Sequence, residues 1–212
     1  MSVFGWIIIH QHLGYTFDWQ LPWADYKAGF GSIDADFWLG LERMHLLTSS
    51  QPYRLRVELQ SWSTNLWFSA EYWSFQIGDE YWSFQIGDEY WSFKIGDQYW
   101  SFKIGDDLND KYRLEVSGYS GDAGDSLLYE GDLDGNGEFG YYYHNGMKFS
   151  TFDLDNDEYD DGNCAPDRGG GWWYNGCYWG CLTCGSGDYQ WTWATYQGTW
   201  YVVNSRMMIK PQ

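Results

Sequence analysis

Residues 71–106 read EYWSFQIGD, EYWSFQIGD, EYWSFKIGD and QYWSFKIGD, four near-identical copies of one nonapeptide. Seven residues of each copy alternate between polar and apolar side chains, which is the pattern of a β-strand. The closing Gly-Asp is typical of a two-residue hairpin turn, because glycine tolerates a positive φ. Each copy is therefore predicted to be one strand plus one turn, and the four copies to add extra β-strands to the fold as an antiparallel meander.

The spacing also predicts the register of this meander. With Gly78 and Asp79 as the turn, Ile77 faces Glu80, and the Trp, Phe and Ile residues share one face. Leaving such a face in water is unfavourable by ~25 cal/mol per Å² of apolar area. We therefore predict a homo-oligomer with the repeat strands at its interface. The alternative is a disordered, duplicated insertion, against which the regular alternation argues.

The segments around the repeat predict further strands. Residues 53–59 (YRLRVEL) and 112–116 (YRLEV) alternate, residues 200–209 (WYVVNSRMMI) predict a closing strand, and residues 1–11 predict a strand without the features of a signal peptide. If one copy forms an antiparallel strand between YRLRVEL and YRLEV, those two strands run in the same direction. Three more antiparallel strands make the number between them even, so the two strands would then run in opposite directions. Either one copy lies outside the main sheet, or the insert projects and exchanges with a partner.

Two early segments have helical spacing, residues 23–30 (WADYKAGF) and 37–47 (FWLGLERMHLL). In the second, a buried stripe is predicted at Phe37, Leu41, Met44 and Leu47, with Asp34 or Asp36 as the N-cap. Early helices, dispersed strands and a loop-rich region over 118–192 predict an α+β fold. We expect one domain over residues 1–212, with a central twisted, mainly antiparallel sheet and two short helices.

The composition excludes several classes of function. A net charge of −18, from 12 basic and 30 acidic residues, disfavours nucleic acids and anionic membrane surfaces as partners. No apolar run is long enough to span a bilayer. A hydrolase is the enzymatic alternative, but no nucleophile–base arrangement is evident, and the four histidines fit structural roles better. We therefore expect a protein that is not an enzyme.

An acidic run and a cysteine cluster are the candidate chemical sites. Residues 153–162 (DLDNDEYDDG) offer the hard oxygen ligands that calcium prefers, although a solvated acidic loop explains the run equally well. A rival calcium pattern lies at residues 132–138 (DLDGNGE). The clustered cysteines indicate disulfides in an oxidising compartment, and a zinc site is the alternative. They are Cys164, Cys177, Cys181 and Cys184.

Seven segments, in order, make the chain resemble the fibrinogen-like domain of fibrinogen chains, ficolins and tachylectins. They are WADYKAGFG (23–31), FWLGLERMHLLT (37–48), YRLEVSGYSGDAGDSL (112–127), HNGMKFSTFDLDND (144–157), GNCAPDRGGGWWYNGC (162–177), WATYQGTWY (193–201) and MMIKP (207–211). The family usually has a single segment like AEYWSFQIGDE. The family's upstream subdomain is absent from this chain, so the N-terminal subdomain is truncated and an N-terminal edge strand is expected to be exposed.

The resemblance implies a calcium ion bound by the side chains of Asp155 and Asp157 and by backbone carbonyls near Tyr159 and Asp161. It also implies a Cys164–Cys177 disulfide between the calcium site and a ligand pocket. Cys181 and Cys184 form a C-x-x-C that the family pattern does not include. A local disulfide is the first interpretation of this pair, and a redox pair is the alternative.

The resemblance places the ligand pocket beside the calcium loop, often with a cis peptide bond next to the second cysteine. The corresponding residues are Asp167, Arg168, Gly176, Cys177, Tyr178, Asp188 and Tyr189, with Tyr178 at the position of the usual histidine. The implied function is that of a secreted, calcium-dependent lectin of innate immunity that binds microbial carbohydrates or acetylated groups. The alternative is a structural or interaction protein that assembles through its aromatic repeat strands.

Overall fold

A computed structural model describes residues 2–3, 5–14, 17–80, 91–95, 98–102, 110–128, 143–177, 180–185, 192–195 and 198–212. These residues form helices α1 (Trp23–Ala28), α2 (Leu41–Ser50) and α3 (Cys164–Arg168). Their strands are β1 (Ser2–Val3), β2 (Trp6–Leu13), β3 (Phe30–Gly31), β4 (Phe37–Trp38), β5 (Tyr53–Ser61), β6 (Trp67–Ile77), β7 (Trp91–Ile95), β8 (Gln98–Phe102), β9 (Leu114–Gly121), β10 (Gly180–Cys181), β11 (Thr192–Thr195) and β12 (Gly198–Pro211). Within this part of the chain, no helix is long and apolar enough to cross a bilayer.

One antiparallel sheet organises the fold, and its main path runs β3-β4-β2-β12-β5-β6-β9. The predicted closing strand, β12, lies in the middle of this path, where it pairs with both β2 and β5. Strand β2 is also internal to this path, because the short β4 pairs with its other side. The first strand, β1, pairs only with β2 among the described strands, so an N-terminal edge strand is present, and its exposure stays a prediction. The predicted α+β class is confirmed.

The two faces of the sheet differ sharply along β5. Alternate side chains Tyr53, Leu55, Val57 and Leu59 are at most 3% exposed and join the single core cluster. The side chains between them form a face of charged and polar residues that we call the open face. On β5 and β12 it comprises Arg54, Arg56, Glu58, Gln60, Asn204, Arg206 and Lys210.

Helix α2 begins later than the spacing predicted. Phe37 belongs to a strand, and Gly40 separates it from the helix with a φ of 101°. A Cβ at Gly40 would lie 2.7 Å from the backbone of Ala28, so only glycine fits this crossing. Asp36 does not cap the helix, because its Oδ1 accepts the N–H of Leu13 at 2.7 Å. Of the predicted buried stripe, Leu41 and Met44 are buried on α2, and the partly buried Leu47 packs against the core.

The first repeat copy forms most of β6 and lies between β5 and β9. Both neighbours are antiparallel to it, so β5 and β9 run in the same direction, as expected for a single copy between them. The predicted turn at Gly78 and Asp79 is wrong, since the N–H of Gly78 donates to the carbonyl of Arg113 at 2.9 Å. Ile77 accordingly pairs with Leu114 and not with Glu80.

An irregularity in β6 also overturns the predicted shared face of Trp and Phe. The β5–β6 register shifts between Tyr53 and Leu55, which pair with Phe75 and Tyr72. A bulge of this kind places two successive residues on one side. Consequently Tyr72 and Phe75 are both buried, whereas Trp73 between them is 60% exposed.

The residue that precedes each copy explains why the first copy occupies the main sheet. Ala70 is completely buried in the core cluster, opposite Val57. The other copies are preceded by aspartate, at positions 79, 88 and 97. Sliding any of them into the place of β6 would bury an unpaired carboxylate, which is strongly unfavourable. Only the first copy therefore has the sequence that this place requires.

The third and fourth copies form a separate two-stranded sheet, β7-β8. Its register places Ile95 opposite Gln98, Phe93 opposite Trp100 and Trp91 opposite Phe102. This is the predicted copy-to-copy register, which is confirmed for this pair. The second copy, from residue 81 onward, lies outside the described residues.

Candidate functional site

The acidic loop, residues 153–162, is held in shape by its own carboxylates. Oδ1 of Asp155 accepts the N–H of Asp157 at 3.2 Å. The two oxygens of Asp157 accept the N–H groups of Tyr159 at 2.9 Å and of Cys164 at 2.8 Å. The two predicted metal-binding side chains are therefore adjacent, and Asp157 ties the loop to the start of α3.

The electrostatics of this pair are those of a site that lacks a counter-charge. Burial raises the pKa of Asp157 to about 6, although the N–H groups of Cys164 and Tyr159 oppose the shift, and the negative charge of Asp155 raises the pKa further. A hard divalent cation would relieve both effects, because it compensates desolvation and repulsion together. The donor chemistry of the pair fits calcium.

The predicted carbonyl donors lie on the exposed side of the same loop. The carbonyl of Tyr159 accepts the N–H of Gly162 at 3.2 Å, and Asp161 is exposed. Among the described residues, no cluster of three or more His, Cys, Asp or Glu side chains has the arrangement of a metal site. A calcium ion here would take two carboxylates and complete its coordination with carbonyls and water.

Asp153, at the start of the loop, has a structural contact. Its Oδ1 accepts the backbone N–H of Trp23 at 2.8 Å and the hydroxyl of Thr151 at 2.7 Å. A carboxylate at the first N–H groups of a helix is stabilising, so Asp153 connects the acidic loop to α1.

Both predicted disulfides are present in the structure, Cys164–Cys177 and Cys181–Cys184. The first joins α3 to the segment after Asn175, and the carbonyl of Asn175 accepts the N–H of Glu158 at 3.1 Å. The acidic loop therefore contacts both ends of the disulfide-linked segment. Since the four cysteines are paired, the alternative of a zinc site is excluded.

The second disulfide lies in the core, with both of its cysteines fully buried. The hydroxyl of Tyr174 lies 3.0 Å from Sγ of Cys184 and donates to the carbonyl of Gly170 at 2.6 Å. This disulfide therefore contacts the segment 170–174 through Tyr174.

The structure places four of the seven predicted pocket residues. Asp167 is exposed on α3, Arg168 is half-buried at its end, and Gly176 and Cys177 follow the buried Tyr174 and Asn175. The described residues contain no cis peptide bond, so the expected one beside Cys177 is absent there. Instead Cys177 has a φ of 71°, which is uncommon for a residue with a side chain. Tyr178, Asp188, Tyr189 and the rival calcium pattern at 132–138 lie outside the described residues.

Sequence reasoning missed the role of Glu80, the first residue of the second copy. Its side chain is nearly buried, accepts from Nε1 of Trp23 at 2.7 Å, and forms an ion pair with Lys27. Tyr112 donates mainly to Glu42 at 2.6 Å and reaches Glu80 at 3.4 Å. Periodicity placed Glu80 at the start of a strand, just after the predicted Gly78-Asp79 turn, and no local pattern distinguishes it from the equivalent Glu71 or Glu89.

The family model for the C-terminal globular domain of fibrinogen beta and gamma chains matches residues 2–100 and 89–212. The chain belongs to the fibrinogen C-terminal domain family. The two matched segments overlap inside the third and fourth repeat copies. Fibrinogen-like domains are extracellular, non-enzymatic binding or structural domains, and this coarse description applies to the chain.

Several curated relatives are similar over most of the chain. Human fibrinogen alpha chain is 38% identical over 83% of this chain and 17% of its own length. Mouse fibrinogen gamma chain is 32% identical over 96% of this chain and 45% of its own length. Mouse angiopoietin-related protein 1 is 33% identical over 98% of this chain and 35% of its own length. The chain thus spans less than half the length of each of these relatives.

Solved structures share the fold of this fibrinogen-like domain. The fibrinogen-like globe domain of human ANGPTL6 has a TM-score of 0.72 and 29% identity, over 98% of this chain and 78% of that one. Lamprey fibrin D-dimer, complexed with the peptide Gly-His-Arg-Pro-amide, has a TM-score of 0.74 and 31% identity, over 97% of this chain and 61% of that one.

Proposed function

We propose that this fibrinogen-like domain is a secreted, calcium-dependent lectin of innate immunity that recognises microbial carbohydrates or acetylated groups. One observation carries the proposal: the adjacent carboxylates of Asp155 and Asp157 lie in a loop that bonds to both ends of the Cys164–Cys177 segment. Calcium bound by this pair would stabilise the segment that carries Asp167, Arg168, Gly176 and Cys177. The family resemblance assigns Tyr178, Asp188 and Tyr189 to the same pocket, and these three lie outside the described residues.

Two further points support a ligand-binding role. The related lamprey fibrin D-dimer is complexed with a short peptide ligand, so a domain of this fold and 31% identity binds a ligand. The pocket side chains Asp167 and Arg168 offer an acceptor and a donor for polar ligands on a short helix that the disulfide anchors. Weak binding at each site would gain avidity from oligomerisation.

The decisive experiment measures binding to acetylated and chemically deacetylated bacterial cell-wall polysaccharide, with calcium and with a chelator. We expect binding that requires both calcium and the acetyl groups, and that falls at least tenfold in Asp155→Asn and Asp157→Asn. Asp160→Asn is the matched control, because this exposed carboxylate belongs to the same loop and is not a proposed ligand. Binding that survives both the chelator and Asp157→Asn would refute the proposal.

A second candidate function is assembly through the repeat strands, with a degenerate pocket. The pairing of β7 with β8 favours it, because copies of the nonapeptide pair with each other outside the main sheet. An isolated two-stranded sheet is marginally stable in water, so a second molecule is a natural partner for it. Self-association that is independent of calcium, without any binding to polysaccharide, would favour this function over the lectin.

A further inference from the structure

The open face of the sheet contains two basic side chains that have no acidic partner among the described residues. Arg54 on β5 and Lys210 on β12 lie directly opposite each other in the register of these antiparallel strands. Side chains in such positions are about 5 Å apart at Cβ, and like charges there repel each other. Neither residue forms an ion pair in the part of the chain that the structure describes, although the chain has 30 acidic residues and only 12 basic ones.

The neighbouring arginines on the same face are paired with a carboxylate. Arg56 donates to one carboxylate oxygen of Glu58 at 2.9 Å, and Arg206 donates to the other at 2.5 Å. Burial acts to raise the pKa of Glu58, but these two arginines lower it overall. Further along the strands, none of the described carboxylates pairs with Arg54 or Lys210, so within this part of the chain their charges are uncompensated.

Two tryptophans hold the Arg54 guanidinium in place. Its Cζ lies 5.6 Å from the ring centre of Trp6 and 5.4 Å from that of Trp73, and Nζ of Lys210 lies 5.9 Å from Trp6. A guanidinium that contacts aromatic rings through its plane keeps its in-plane N–H donors available for an oxyanion. Nε of Arg54 is buried and has no hydrogen-bond partner among the described residues, so an oxyanion would bind the terminal NH2 groups of the guanidinium.

We propose that Arg54 and Lys210 form an oxyanion-binding site for a saccharide that carries an isolated carboxylate or sulfate group. The oxyanion accepts hydrogen bonds from the guanidinium and compensates both charges. The sugar ring contacts the indole of Trp73, which is 60% exposed, since carbohydrate rings and aromatic faces pack well together. A densely charged polyanion is disfavoured, because the chain as a whole carries a charge of −18.

This site is separate from the proposed calcium-dependent pocket. Arg54 and Lys210 project from the face of the sheet opposite the core residues Leu55 and Ile209. The acidic loop lies on the core side, where Asn156 donates to the carbonyl of the buried Phe149 at 2.8 Å. Binding at the open face therefore needs no calcium, and it can succeed or fail independently of the lectin proposal.

The experiment compares carboxymethyl-dextran of low substitution, unmodified dextran and dextran sulfate on the full chain in EDTA. EDTA removes the calcium on which the proposed pocket depends, and these polymers carry no acetyl groups, so that pocket does not contribute. We expect carboxymethyl-dextran to bind, and dextran and dextran sulfate to bind at least tenfold more weakly. Arg54→Gln and Lys210→Gln should each weaken binding at least tenfold. Arg43→Gln is the control, because it removes the same charge from α2 and should change binding less than twofold.

A second measurement separates a binding role from a structural one. Removing one of two like charges relieves repulsion in the free protein, so Lys210→Gln should raise the melting temperature while it weakens binding. A lower melting temperature for Lys210→Gln, or binding by Arg54→Gln and Lys210→Gln within twofold of the unmodified chain, would overturn the proposal. Equal binding of dextran, or preferential binding of dextran sulfate, would overturn the proposed ligand class.

Discussion

Removing residues 81–107 tests whether the three extra copies are independent of the domain core. This deletion removes 27 residues and leaves Glu80 in place after Asp79. The hydrogen bond from Gly78 to Arg113 closes the insert, so the 34 residues between them fall to 7. Loop-closure entropy scales as about (3/2)RT ln n, which predicts a stabilisation of about 1.4 kcal/mol.

The deletion of residues 80–106 is the matched control. It has the same length, but it places Asp107 where Glu80 stood. The shorter side chain withdraws its carboxylate from Lys27 and from Nε1 of Trp23. Both donors are only half-buried, so losing these bonds costs about 1 kcal/mol, and this variant should be less stable than the first by that amount.

Urea denaturation measures the free energies of unfolding, and light scattering measures the mass in solution. We expect the first deletion variant to unfold at the same or a higher urea concentration than the unmodified chain, and to form smaller oligomers. A loss of more than about 2 kcal/mol would refute the reasoning, because it would mean that the extra copies pack on the core. An unchanged oligomer mass would separately remove the repeat strands from the interface.

Three other predictions follow from the buried charges. Asp157→Asn should weaken calcium binding at least tenfold and abolish proton release on binding at pH 6, because a carboxyl with a pKa of about 6 is half protonated before calcium binds. Calorimetry in two buffers of different ionisation enthalpy measures both effects. Equal proton release by the variant and the unmodified chain would contradict this prediction. In that Asn background, the free energy of unfolding measured by urea denaturation should fall between pH 6.5 and pH 4. The fall should be up to about 3 kcal/mol each for His12 and His144, whose pKa values are about 4, because unfolded imidazoles take up protons that the buried ones exclude. Burial also lowers the pKa of His10, which therefore acts in the same direction. A constant free energy of unfolding over this range would contradict this prediction. Ala70→Asp should lower the free energy of unfolding by at least about 3 kcal/mol, whereas Ser74→Asp, on the exposed side of the same strand, should lower it by under about 1 kcal/mol. Equal losses in urea denaturation would show that burial at position 70 does not select the first copy.

Local patterns predicted those elements whose partners need not be known. The alternation of YRLRVEL identified β5, because the two faces of a strand differ wherever one of them is buried. The strand at YRLEV begins only at Leu114, since Lys111 and Tyr112 have φ values of 44° and 56° in the preceding turn. The start of α2 was misplaced because helical spacing continues through Phe37, whereas Gly40 meets the backbone of Ala28.

The candidate site was predictable to different degrees. The spacing of Asp155 and Asp157 is a local property, and the structure shows the two side chains adjacent. The pKa of Asp157 is raised by burial in the surrounding fold, and the N–H of Cys164 only partly opposes this shift; a composition argument includes neither effect. Arg54 and Lys210 are far apart in the chain, and only the pairing of β5 with β12 places them opposite each other.

The sequence by itself determined the strand periodicity, the register between the third and fourth repeat copies, the acidic loop and the segments that resemble the family, because each depends on residues that are close together in the chain. Only the tertiary structure decided which copy enters the main sheet, that Trp73 faces solvent and that Glu80 pairs with Lys27. These outcomes depend on burial at Ala70, a bulge opposite Arg54 and contacts between distant segments. Near-identical copies have the same local preferences, so only their different surroundings can distinguish them.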